Sequence, residues 1–161
     1  MTAGDTLARI DGALAAGWAQ ARAAVERSRN APLSARHALH AAAALDQLSD
    51  LAHPFRTALL PAAVARAGDI LSYRAALRAA DPALGAVMDL TACRAEGPHL
   101  RLIAAEVPPE GFAQLPVGDL MVSLYNAGTV PRLFLVSADG QRLPVQPLLA
   151  DATAWWHAVL G

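Results

Sequence analysis

Apolar residues recur at intervals of three and four along residues 1–80, which is the spacing of one face of an α-helix. Charged and polar residues separate the apolar positions of residues 4–29, which are Leu7, Ile10, Leu14, Trp18, Ala21 and Val25. Asn30 and Pro32 end this first helix. Ser34 then supplies an N-cap side chain for a second helix that runs to about Ala52.

Two further helices are predicted before residue 81. Pro54 starts the third helix, because proline is tolerated in a first turn and not in a helix interior. Gly68 is its expected end, and Asp69 caps a fourth, short helix that runs to about Ala80. The N-terminal region is therefore predicted to hold about four helices.

The pattern becomes strand-like from about Gly85. Residues 86–107 predict two strands joined by a Glu-Gly-Pro turn. The Asp139–Gly140 pair lies between two alternating runs, and this is the strongest short signal for a hairpin. An antiparallel sheet is therefore predicted over residues 86–146, followed by a helix from Pro147 to the C-terminus.

Residues 119–127, DLMVSLYNA, fit two structures. As a strand, they form a hairpin with the next strand through the following turn. As a helix, they are capped by Asp119 and ended by Gly128. The strand is favoured.

These elements predict an α+β fold: an N-terminal helical region packed with a small antiparallel sheet and a C-terminal helix. Residues 1–80 form the helical region, and residues 81–161 hold the sheet and the last helix. The two regions are expected to form one structural unit, because 161 residues fit a single core.

Composition excludes several chemistries. All 13 basic residues are arginine, so a Schiff-base lysine, a P-loop lysine and a Ser–Lys dyad are excluded. Abundant alanine without lysine is typical of a GC-rich bacterial genome. The formal net charge of −1 argues against nucleic-acid binding and against a polybasic membrane anchor.

Localisation is predicted from apolar runs and from cysteine. No apolar run approaches the roughly 18 residues that a membrane span needs, so no membrane insertion is predicted. Charged residues interrupt residues 1–18, which argues against an export signal. Cys93 is the only cysteine, which excludes an intrachain disulfide and favours a reducing compartment. We therefore expect a cytoplasmic protein.

The segment HPFRTAL resembles the phosphoacceptor box of sensor histidine kinases, with matches at His53, Arg56, Thr57 and Leu59. It departs from that box at Pro54, where the family has the acid that acts as a base. The ATP-binding elements of those kinases are lacking, so autophosphorylation is excluded. His53 is interpreted as a structural residue at a helix start or linker, and phosphotransfer from another protein is the alternative.

Other candidate sites are explained more simply as structure. His37 and His40 share a helix face, but the chain lacks a third metal ligand one turn on, so no metal site is predicted. Cys93 is expected in the core, and His99 across the turn has nothing to orient it. The carboxylates Glu106, Glu110 and Asp119 fit a solvated loop as well as an acid–base pair. No catalytic residue is therefore assigned.

The C-terminal helix carries adjacent tryptophans, which point about 100° apart on a helix. Trp155 and Val159 are predicted to anchor the helix to the sheet. Trp156 and Leu160 then form a second apolar stripe, which is predicted to be an interface with a partner.

The leading functional hypothesis is a non-catalytic interaction or assembly module, as a small subunit or adaptor of a larger bacterial complex. It rests on the lack of a recognisable catalytic set and on a mean hydropathy of +0.31, which is high for a chain of this length. The expected partner is another protein or a second copy, with no cofactor. Two alternatives stay open: a phosphotransfer component that uses His53, and a small-molecule-binding module. The pocket of the latter is expected to be lined by Phe112, Leu120, Tyr125 and Phe134.

Overall fold

The computed structural model describes residues 12–92 and 97–161, with no side-chain description for Pro109 and Glu110. The predicted α+β class is confirmed: helices are followed by a three-stranded antiparallel sheet and a C-terminal helix. The helices are α1 (Gly12–Asn30), α2 (Ala35–Ala52), α3 (Arg56–Leu59), α4 (Ala62–Ala65), α5 (Ile70–Ala80), α6 (Pro82–Thr91), α7 (Val117–Tyr125) and α8 (Val145–Leu160). The strands are β1 (His99–Glu106), β2 (Thr129–Val136) and β3 (Arg142–Pro144).

Helices α1 and α2 form a hairpin whose boundary was predicted from local signals. The Ser34 hydroxyl accepts a hydrogen bond from the His37 N–H at 3.3 Å, so the predicted N-cap is confirmed. The faces that meet are rich in alanine, which lets the two helices approach closely. The buried alanines of this contact include Ala21, Ala24, Ala38, Ala41 and Ala42. The part of the first helix before Gly12 lies outside the described residues.

The single third helix predicted from Pro54 is wrong. A 3₁₀ turn spans His53–Phe55, and two short helices, α3 and α4, follow it. Pro61 separates them, because proline has no N–H to continue the ladder of hydrogen bonds. Leu60 has extended backbone angles, so the chain turns there before α4 begins.

Helices α5 and α6 begin at aspartate caps. Asp69 accepts hydrogen bonds from the N–H groups of Leu71 and Ser72, each at 3.0 Å, so the predicted fourth helix is confirmed. Asp81 caps α6 in the same way, and Pro82 takes the first position, where proline fits. The strand predicted from residue 86 is therefore wrong up to Thr91, where helix α6 ends.

The sheet has the strand order β1–β2–β3. Strand β1 pairs with β2 from His99 opposite Val136 to Glu106 opposite Thr129. The predicted hairpin at Asp139–Gly140 is confirmed, because it joins β2 to β3. Gly140 has a φ of +84°, and its N–H donates to the Ser137 carbonyl at 2.9 Å. Glycine adopts this left-handed conformation without steric cost.

The favoured strand at residues 119–127 is also wrong, because these residues belong to helix α7. Pro116 occupies the N-cap position and Asp119 lies within the first turn. The chain leaves the helix through Ala127 and Gly128, whose φ values are 51° and 78°. The Gly128 N–H donates to the Ser123 carbonyl at 2.9 Å, which satisfies an acceptor at the helix end.

One hydrophobic core joins the two predicted regions. Helix α8 contacts α1, α2, α6, β2 and β3, so it lies where the helices meet the sheet. Gln146, in its first turn, donates to the carbonyl and the hydroxyl of buried Ser28 at the end of α1, both at 3.1 Å. The largest fully buried side chains include Trp156, Tyr73, Leu14, Leu45, Leu48, Leu77, Leu84 and Leu149.

Candidate functional site

Helix α7 carries five of the ten exposed large hydrophobic side chains among the described residues. Val117, Met121 and Leu124 are 78%, 49% and 67% exposed, and they follow one another at spacings of four and three residues. Val122 is 37% exposed and Tyr125 is 83% exposed. We call the side chains of Val117, Met121, Leu124 and Tyr125 the α7 face. This contiguous stripe is the most prominent candidate interaction surface in the described residues.

The opposite side of α7 is attached to β2. Ser123 is buried and donates a hydrogen bond to the Leu120 carbonyl at 2.7 Å. Asp119 accepts from Arg132 of β2 at 2.9 Å in a half-exposed ion pair. Strand β2 also buries Val130, which is 2% exposed. The helix is therefore held by one side, and the α7 face points away from the sheet.

The predicted roles of the C-terminal tryptophans are reversed. Trp156 and Leu160 are 0% and 1% exposed, so neither forms the predicted partner surface. Trp155 and Val159 are only partly buried at the margin of the core. The Trp155 and Trp156 rings meet edge to face, with centroids 4.9 Å apart. Trp156 rather than Trp155 is buried because helix α8 packs against helices distant in sequence as well as against the sheet.

His53 lies where α2 gives way to the 3₁₀ turn. Its ring meets the Tyr73 ring edge-on, with centroids 4.9 Å apart. The Nε2 atom of His53 and the hydroxyl of Tyr73 are both buried without a hydrogen-bond partner. Arg56 donates to the His53 carbonyl at 3.1 Å and to the Ala67 carbonyl at 2.8 Å. His53 is thus a partly buried residue in a helix junction, and phosphotransfer through it stays a prediction.

An ion cluster joins α2 to α5 beside this junction. Arg74 donates to Asp46 at 2.5 Å and to Asp50 at 2.7 Å. Thr91, at the end of α6, donates to the other oxygen of Asp46 at 2.7 Å. Desolvation lowers the pKa of Arg74, but the two carboxylates outweigh it and raise that pKa overall. The cluster holds three helices together, and with one arginine and two aspartates it keeps a formal charge of −1.

The other predicted site residues fall on β1, on α7 and outside the described side chains. Asp119 is paired with Arg132, whereas Glu106 ends β1 opposite Thr129 and is exposed. His99 starts β1 and is exposed. Cys93 lies outside the described residues, as does the Glu110 side chain. Glu106 lines the same recess as Arg132, the ion-pair partner of Asp119, and an acid–base pair there stays a prediction.

The residues proposed to line a small-molecule pocket line none of the four recesses found at Asp89, Glu106, Arg27 and Asp81 in the described part of the chain. Tyr125, one of its four proposed lining residues, is 83% exposed. A recess of about 330 Å³ beside the sheet is lined by other residues, including Ala105, Gln114, Leu115 and Arg132. The small-molecule alternative stays a prediction, without the proposed lining.

Sequence reasoning missed the α7 face because it favoured a strand there. The signal was present in the spacing of Val117, Met121, Leu124 and Tyr125, which is helical.

Sequence reasoning also missed a recess at His37 and His40, because it considered these two histidines without the neighbouring arginines. A recess of about 430 Å³ is lined by both histidines together with Arg27 and Arg36.

Among the described residues, no three His, Cys, Asp or Glu side chains are grouped as a metal site requires. None of the helices in residues 12–92 and 97–161 is long and apolar enough to cross a membrane. No protein-family model matches the chain, and neither a curated protein nor a solved structure matches it significantly.

Proposed function

We propose that this protein is a non-catalytic assembly module, and that it associates with a second copy of itself through the α7 face. The observation that carries the proposal is a helix with apolar residues around most of its circumference, of which only one side is covered. A helix of this kind is normally buried on both sides. Exposed apolar stripes of this kind mark protein–protein contacts.

The absence of free charge on α7 favours a second copy as the occupant. Asp119 is the helix's only charged residue, and Arg132 neutralises it within the same chain. Two copies can therefore bring their α7 faces together without like-charge repulsion. An isologous contact needs a patch that complements itself, and an uncharged apolar stripe meets this requirement. A strongly acidic or basic partner finds no opposite charge on this helix.

The residue types on the face also suit an interface. Val117, Met121 and Leu124 form a stripe two turns long, which fits an antiparallel helix pair. Tyrosine and methionine are enriched at interface cores relative to the rest of the surface. Tyr125 extends the stripe at its C-terminal end, so its ring is placed to cover the partner's Val117 in an antiparallel arrangement.

The test is the mass of the chain in solution, measured by light scattering over a range of chain concentrations. We expect twice the chain mass of 16.7 kDa for the natural sequence. Leu124→Glu should give the single-chain mass, because it places a charge in the apolar contact. Leu71→Glu is the matched control: Leu71 is 78% exposed on α5, away from the α7 face, so this variant should remain dimeric.

Three outcomes contradict the proposal. If the natural chain is monomeric at every concentration, self-association is excluded and the α7 face would have to bind a different protein. A dimer that both glutamate variants break indicates a general effect of charge. A dimer that survives Leu124→Glu but not Leu102→Glu places the contact at the open edge of β1, where Leu102 is 58% exposed.

A further inference from the structure

A recess at the α1–α2 turn brings together four nitrogen-bearing side chains. Arg27 comes from the last turn of α1, and Arg36, His37 and His40 come from the start of α2. The recess measures about 430 Å³, and none of its described lining residues is a carboxylate. Two chain segments separated by a tight turn therefore contribute positive or hydrogen-bonding groups to one concave site.

The guanidinium N–H groups of the two arginines in the recess have no partner among the described residues. Within the described residues, neither Arg27 nor Arg36 forms an ion pair or a side-chain hydrogen bond. Neighbouring Arg29, by contrast, pairs with Glu26 at 3.6 Å. An arginine cluster without carboxylates repels cations, so these residues disfavour a metal at the histidine pair and favour an anion.

His37 adds an independent observation. Its Nδ1 atom is buried and has no hydrogen-bond partner, although buried polar groups are normally satisfied. The ring belongs to the first turn of an 18-residue helix, where backbone N–H groups and the helix dipole also favour negative charge. Because this nitrogen is buried, the ring must turn toward the recess to reach a bound anion, which would then give it the partner that the chain does not supply.

We infer that this recess, which we call the Arg27–His40 recess, binds a tetrahedral oxyanion of the phosphate class. Guanidinium groups form paired, charge-assisted hydrogen bonds with phosphate oxygens, and imidazole N–H groups add single donors. The ligand is free phosphate or the terminal phosphoryl group of a small phosphomonoester. The inference does not depend on self-association, because α7 contributes no residue to this recess.

Calorimetric titration of the full chain with inorganic phosphate, in chloride buffer, tests the inference. We expect saturable binding of one phosphate per chain. The double variant Arg27→Gln/Arg36→Gln should bind at least about tenfold more weakly, since about 1.4 kcal/mol of lost binding energy is a tenfold change. Arg66→Gln/Arg142→Gln removes the same charge from exposed positions outside the recess, so it should bind phosphate like the natural chain.

A second titration with phenyl phosphate distinguishes the two sources of the phosphoryl group. Tighter binding than phosphate indicates a phosphomonoester ligand, and weaker binding indicates the free ion; both support the site. Three results overturn it: no saturable binding to either probe, equal weakening in both double variants, or Zn²⁺ binding that depends on His37 and His40. Melting temperatures close to the natural value in both double variants would confirm that folding is not the cause.

Discussion

At the scale of single residues, the contact between His53 and Tyr73 brings two unsatisfied polar atoms into the interior. Tyr73 is 0% exposed, and its hydroxyl has no hydrogen-bond partner. A buried polar group without a partner costs about 1–3 kcal/mol. Burial raises the pKa of the Tyr73 phenol well above its ordinary value, and the nearby Asp50 carboxylate raises it further. This phenol therefore stays neutral in the folded chain.

We expect Tyr73→Phe to raise the free energy of unfolding by about 1 kcal/mol, because it removes the unsatisfied hydroxyl and keeps the ring. The natural chain should also lose stability as the pH rises above about 10, since the phenol ionises first in the unfolded state. The Tyr73→Phe variant should lose less stability over the same rise in pH. Urea denaturation across this pH range measures both effects.

Tyr125→Phe, measured at chain concentrations low enough for the chain to be monomeric, is the control for this prediction, because Tyr125 is 83% exposed in the single chain. It should leave the free energy of unfolding unchanged, and it should keep the loss of stability at high pH that Tyr73 causes. A lower stability of Tyr73→Phe would show instead that the hydroxyl has a hydrogen-bond partner, such as an internal water.

At the scale of elements, aspartate caps decide where α5 and α6 begin. A hydrogen bond from the Ser72 hydroxyl, followed by backbone N–H bonds, lowers the pKa of Asp69. Its contribution to stability is therefore present above the ordinary aspartate pKa. It is lost as the pH falls through the lowered value in the folded chain.

We expect Asp69→Ala to lower the melting temperature near neutral pH, because α5 loses its N-cap and its favourable charge at the helix start. The difference from the natural chain should shrink in acid, where protonation of Asp69 weakens the cap. Asp151→Ala, an exposed position within α8, removes the same charge without a cap. Thermal unfolding of the three chains at neutral and acid pH measures the effect, and equal losses in both variants would contradict it.

The different burial of the two tryptophans in the C-terminal helix predicts different losses of stability. Trp156→Ala should lower the free energy of unfolding by about 3–5 kcal/mol, the usual cost of removing a large buried side chain. Trp155 is only partly buried, so Trp155→Ala should cost clearly less. Urea denaturation of the two variants gives the comparison. Equal losses would mean that both rings are anchored alike.

At the scale of the whole molecule, the core crosses the boundary between the helical region and the sheet. Its buried members come from α1, α2, α6, β2 and α8, among others. Helix α8 contacts elements from both regions, so neither region keeps its full core without the other. The expectation of one structural unit rests on this shared core.

We therefore predict a single cooperative unfolding transition. The three tryptophans lie in α1 and α8, so their fluorescence reports on the helical core, whereas far-ultraviolet circular dichroism reports on all elements. The two signals should change at the same urea concentration. Separate midpoints would show that the helical region and the sheet unfold independently.

The features that sequence predicted depend on neighbours within about four residues. Ser34 and Asp69 cap helices through N–H groups two or three positions away. Gly140 turns the hairpin through its own backbone freedom. These signals act whatever surrounds them, so the α+β class, the starts of α2 and α5, and the hairpin could be read from the chain alone.

The sequence alone did not decide which apolar runs are helices and which apolar faces are covered. Residues 86–91 and 117–125 each carry an apolar run short enough to fit a strand, and the structure makes both helical. The angle between Trp155 and Trp156 follows from helix geometry, but the elements packed on α8 select the ring that is buried. Arg27 meets Arg36 and His37 only because α1 and α2 pack side by side. Burial and site assembly depend on contacts between distant segments, and tertiary packing alone determines those contacts.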